Sequence, residues 1–99
     1  MNWMEAFVNR KPFGTRWKWK GNLRRTNGKE LWYKGLTIAK WSEDRPWHLI
    51  LIKFRISHLD FHYQTLNAIT RTHNELGIFI QEHSGFTLEW ENHNEVSYS

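Results

Sequence analysis

Residues 15–20 alternate with period two: Arg16, Lys18 and Lys20 fall on one side of an extended chain, Trp17 and Trp19 on the other. This is the pattern of a strand with one face buried. Residues 21–28 read as a loop closed by Asn27-Gly28, a dipeptide suited to tight turns because both residues tolerate positive φ. Residues 30–41 resume the extended pattern. Leu31, Tyr33, Thr37, Ala39 and Trp41 share one face, and Trp32, Lys34, Leu36, Ile38 and Lys40 the other. Apolar residues on both faces predict a strand covered on both sides along part of its length. After a polar turn at residues 42–46, residues 47–56 form the strongest predicted strand. Its inward face is Ile50, Ile52, Phe54 and Ile56, while Leu49 and Leu51 give way to Lys53 and Arg55 on the other.

The period then changes. Ser57 with Asp60 three positions on reads as a helix N-cap, and Leu59, His62 or Tyr63, Leu66, Ile69 and His73 recur at helical spacing. This predicts a helix over residues 58–74. Leu76, Phe79 and Ile80 continue the stripe, yet Gly77 interrupts it and Ile78-Phe79-Ile80 also reads as strand. Phe86, Leu88 and Trp90 alternate with Thr87, Glu89 and Glu91, a final strand whose partner could be residues 78–82 across the turn at 83–85. Residues 1–14 form a leading segment in which Trp3, Met4, Phe7 and Val8 have helical spacing, stopped by Pro12 and Gly14. Residues 92–99 read as a frayed polar tail. The sum is a single α+β domain over residues 1–99. Its small, mainly antiparallel sheet has a three-strand meander, then one helix, then one or two strands, with the helix packed on one face.

Composition narrows the setting. Aromatic residues make up 16% of the 99 residues, which helps a small chain build a core. No cysteine is present, so disulfides and thiolate metal sites are excluded and a reducing, cytoplasmic compartment is expected. The longest apolar run is residues 49–52, far short of the ~20 residues of a spanning helix. Residues 1–9 lack the basic start and apolar stretch of a signal peptide. A soluble protein without a membrane partner is the expectation.

Charge is polarised. Residues 1–55 hold thirteen of the fourteen Lys and Arg against four carboxylates, a net +9; residues 56–99 hold Arg71 alone against six, a net −5. A positive field on one side attracts phosphate or an acidic protein surface. The opposed halves could equally attract each other within one chain or across a homodimer.

Candidate chemistry follows from that polarity. Arg16, Lys18, Lys20, Arg24, Arg25, Lys29 and Lys34, joined by Lys53 and Arg55 of the central strand, are the expected nucleic-acid contacts. Cations neutralise phosphates, and interleaved aromatics can stack on unpaired bases. Alternation assigns Trp17 and Trp19 mainly to the core. Trp41, Trp47 and Trp90 fall at strand ends, where an exposed indole suits a protein partner. His58 and His62 are spaced for one helix face, as a zinc pair requires, but the sequence between them lacks the glutamate of the metalloprotease pattern. Phosphate-cradling Gly-rich loops and serine-nucleophile elbows are missing, so neither a cofactor nor a metal is expected. A metal-dependent nuclease using those histidines is the residual enzymatic reading. The leading expectation is a small non-enzymatic nucleic-acid-binding protein. The alternative is a protein–protein interaction module, such as a phage or plasmid accessory protein that inhibits or regulates a host complex.

Overall fold

The computed structural model of the protein describes residues 2–14, 24–54 and 63–93. In chain order these form α1 (Trp3–Val8), β1 (Arg24–Thr26), β2 (Glu30–Tyr33), β3 (Leu36–Trp41), β4 (His48–Lys53), α2 (Tyr63–Glu82) and β5 (Thr87–Asn92). The five strands make one sheet in sequence order, β1-β2-β3-β4-β5. Strands β1 to β4 are an antiparallel meander, and α2 carries the chain back so that β5 runs parallel to β4. This is the predicted α+β architecture with a mainly antiparallel sheet. Among the described residues no helix is long and apolar enough to cross a membrane.

Local chemistry accounts for the elements. Asn2 caps α1, its Oδ1 accepting from the Glu5 N–H at 2.8 Å, which satisfies one of the donors a helix start leaves open. The predicted turn at Asn27-Gly28 is present: Asn27 Oδ1 accepts from the N–H groups of Lys29 and Glu30, and Gly28 takes φ 95°. The strand predicted over residues 30–41 is instead two strands. Lys34 (φ 50°) and Gly35 (φ 79°) are both left-handed and fold the chain into a two-residue hairpin. The apolar pattern ran straight through this turn because Tyr33 and Leu36 flank it on paired positions.

Two further expectations are corrected. Residues 24–26, read as loop, pair with β2 as β1. Residues 78–82, open to a strand reading, complete α2, so β5 finds its partner in β4 and not in a hairpin with them. Gly77 does not stop the helix, because α2 keeps its buried stripe of Ile69, Thr72, His73 and Leu76. The strand predicted at residues 15–20 lies outside the described residues.

Both helices cover one face of the sheet. Across it run the register rows Leu31–Ala39–Leu51–Trp90 and Trp41–Leu49–Leu88. Phe7 of α1 meets the Trp41 ring at 5.3 Å, and His73 of α2 meets Trp90 edge-on at 5.1 Å. Leu31, Leu49, Leu51, Ile69 and Leu76 are fully enclosed, each stabilising the fold by about 1.5–3 kcal/mol relative to exposure. Ile52 and Phe54 on the opposite face are also buried. Strand β4 is therefore covered on both sides, whereas the sequence predicted a single inward face. The β2–β3 register slips between Leu31 and Trp32, leaving Ile38 without a ladder partner. Its carbonyl accepts instead from His73 Nε2 at 2.8 Å.

Two turn glycines should respond differently to alanine. A Cβ at Gly28 would stand 2.6 Å from the Arg10 carbonyl oxygen, while one at Gly35 meets nothing within 4 Å. Gly35→Ala should cost about 1 kcal/mol, the left-handed penalty alone, and Gly28→Ala about 3 kcal/mol or more. Urea unfolding of both variants checks the order.

Candidate interaction surface at the sheet margin

The structure separates the cations that the sequence groups together. Arg24 turns under the helices: its Nε donates to Thr72 Oγ1 of α2 at 2.5 Å, and its guanidinium lies over Trp3 and Tyr33. Arg25, one residue on, is half-buried with its stem against Gly14. Lys29 is exposed at the end of the sheet where β4 and β5 begin. Lys34 and Lys53 belong to the opposite end. Lys34 Nζ donates to Thr65 Oγ1 at 3.4 Å, and Lys53 is exposed beside Asn92. Arg16, Lys18, Lys20 and Arg55 lie outside the described residues.

Arg10 is drawn into the structure as well. Its guanidinium sits 3.7 Å over the Trp41 ring and donates to the Pro46 carbonyl, and burial pulls its pKa below the usual arginine value. The shallow groove beside it is lined by Arg10, Lys29 and Lys40 but also by Glu30, Glu43 and Asp44, so it carries no excess of either sign.

The tryptophans divide just as sharply. The exposure expected of Trp41 does not hold: it is a core ring packed between Phe7 and Phe86, with Nε1 donating to the Phe7 carbonyl at 3.0 Å. Trp47 and Trp90 are 48% and 53% exposed. Trp90 belongs to the marginal strand β5, and Trp47 stands just ahead of β4, beside the start of β5. The Thr87 N–H donates to the Trp47 carbonyl at 3.1 Å, and Trp90 is itself in β5, opposite Leu51.

Opposite Trp90's face, β5 presents carboxylates. Glu89 Oε1 accepts from His48 Nε2 at 2.9 Å, and Glu91 pairs with Lys40 at 3.9 Å. Buried His48 also bonds Thr87 Oγ1 through Nδ1 at 2.6 Å. Sequence reasoning passed over His48 because its partners are 39 and 41 residues away and no local spacing signals them. Among the described residues the sheet order puts β5 at the margin, so one of its backbone edges faces away from β4.

The histidine pair His58 and His62 lies outside the described residues. Among the described residues no three His, Asp or Glu side chains are grouped to hold a metal. Buried His73 donates to a carbonyl and packs on an indole, which is a structural arrangement. No protein-family model matches the chain, and comparisons with curated proteins and with solved structures return no match.

His73 makes the margin sensitive to acid. Burial lowers its pKa, and the hydrogen bond to Ile38 opposes this more weakly. The native state thus holds neutral imidazole while the unfolded chain takes up a proton near pH 6.5. The stability this provides is complete above that pH and declines as pH falls through the lower folded-state value. Urea unfolding at pH 7 and pH 5 should show a loss for the native chain, and His73→Gln, which can still donate to Ile38 without titrating, should reduce it. An undiminished pH slope in that variant would contradict the assignment.

Proposed function

We propose that this chain is a small, non-enzymatic protein-binding module that engages its partner through the β5 margin. The observation that carries the reading is that two indoles stand about half exposed on the β4–β5 side of the sheet, Trp90 within β5 and Trp47 just ahead of β4 with its carbonyl bonded to the first residue of β5. Tryptophan dominates interface hot spots because one ring buries a large rigid area at low entropic cost. Both indoles are on the side of the sheet where β4 pairs with β5, so one partner laid along β5 would bury ring area from each. An accessory protein that inhibits or regulates a larger complex needs only such a surface.

Nucleic-acid binding is the second reading, and a different observation favours it. Arg10, Lys11 and Lys29 meet at one corner, where the Gly28 turn packs directly on the Arg10 backbone. Lys11 and Lys29 are exposed there, free to meet phosphate. It ranks second because Arg24 and Arg10 are engaged within the fold and three carboxylates line the adjoining groove.

The readings separate on substitution and salt. A protein complex of defined stoichiometry, isolated with the tagged chain and measured by calorimetry, should weaken about thirtyfold or more on Trp47→Ala with Trp90→Ala. Lys11→Ala with Lys29→Ala should leave it within about threefold. Recovery of nucleic acid alone, with a log-affinity against log-salt slope that falls by about two in the Lys11/Lys29 variant, would overturn the first reading in favour of the second.

A further inference from the structure

We infer that β5 accepts an extended, cation-bearing segment of another protein as an added strand. The inference rests on the protein-binding reading and names the partner's chemistry. The Thr87 N–H donates to the Trp47 carbonyl at 3.1 Å and the His93 N–H to the Lys53 carbonyl at 2.9 Å, so the odd-numbered residues of β5 point their backbone groups toward β4. Those of Leu88, Trp90 and Asn92 point outward. The register with β4 is unbroken from His48↔Thr87 to Lys53↔Asn92. β5 therefore has no bulge, and it contains neither proline nor lysine, the usual devices that blunt an edge.

Side chains specify what can lie there. A strand laid beside β5 places its residues about 4.5–5.5 Å from those directly opposite. On one face it meets Glu89 and Glu91, whose side chains remain 49% and 41% exposed despite His48 and Lys40. On the other it meets Leu88 and the exposed ring of Trp90. The complementary segment carries Lys or Arg at alternate positions with apolar residues between them, the pattern of strand-addition ligands. The most fully overlapped pairings with a second copy of β5 are disfavoured. Antiparallel two-fold pairing centred on Glu89 or on Trp90 sets Glu89 opposite Glu89 or Glu91 of the other copy, and like charges directly opposite are destabilising.

The test uses the full chain and a short peptide alternating Lys and Val, with an alternating Glu–Val peptide and a block-ordered Lys–Val peptide as controls. The alternating Lys–Val peptide should bind about tenfold or more tightly than either control, and the amides of Leu88, Trp90 and Asn92 should gain hydrogen-exchange protection. Asn92→Pro removes an outward N–H at an exposed edge position where proline is tolerated, and should weaken binding about tenfold with an unchanged circular dichroism spectrum. Glu89→Gln with Glu91→Gln should weaken it about fivefold, and Ile78→Ala, exposed on α2, should leave it unchanged. Equal binding of the Lys and Glu peptides, or indifference to Asn92→Pro, overturns the inference. A protein partner that is lost on Trp47→Ala with Trp90→Ala yet retained by Asn92→Pro overturns strand addition while leaving the protein-binding reading intact. A concentration-dependent dimer in sedimentation, abolished by Asn92→Pro, makes a second copy the occupant and overturns it too.

Discussion

The parallel pairing of β4 with β5 is the constraint on which the molecule depends. It joins residues 48–53 to 87–92, a separation no hairpin can bridge, so the chain must cross the sheet through α2. That crossing brings Ile69 and Leu76 into one buried cluster with Leu49 and Leu51 and completes the core. Local interactions reinforce the pairing at one end: buried His48 spans Thr87 and Glu89, tying the first residue of β4 to both. Lys40 reaches past β4 to Glu91, so β3 contributes as well. Placing β5 beside β4 also makes it the sheet's outer strand, which exposes Trp90.

A second hub organises the same end of the sheet. Trp41 holds α1 through the Phe7 carbonyl, meets Phe86 ahead of β5, supports Arg10 on its face, and donates its backbone N–H to Lys29. One residue thus ties together the leading helix and the approach to the last strand through its ring and the first turn through its backbone. Its burial sets it apart from Trp47 and Trp90, which are bonded or paired along β5 but leave their rings in water. The division of tryptophans between core and margin is what directs the functional reading to a protein partner.

The charge asymmetry of the chain has a tertiary counterpart only in part. Lys40 with Glu91 is one point where the basic and acidic halves meet. Arg24 and Arg10 satisfy groups within the fold, each over an aromatic ring, which suits a guanidinium whose planar face is weakly hydrated. Cations engaged in this way keep their charge but have fewer donors left to meet a phosphate directly. The acidic strand, by contrast, keeps its carboxylates half exposed at an edge, and this gives the margin its sign.

Alternation and helical spacing were enough to determine the α+β class, the Asn27-Gly28 turn, the central strand and the last strand, because each is a pattern carried by neighbouring residues. The net positive first half and the absence of thiol chemistry were likewise legible. What the sequence could not carry were choices between partners far apart in the chain. Whether residues 78–82 continued a helix depended on the core beneath Leu76, and whether β5 joined a hairpin or β4 depended on where α2 delivered it. Trp41 and Trp90 both end or lie in short strands with similar neighbours, yet one is enclosed by Phe7 and Phe86 and the other stands at the sheet's edge. The Arg24 side chain was an apparent surface cation until Thr72, 48 residues away, supplied an acceptor. Periodicity reports which face a residue takes, but its exposure is decided by what the rest of the chain packs against that face.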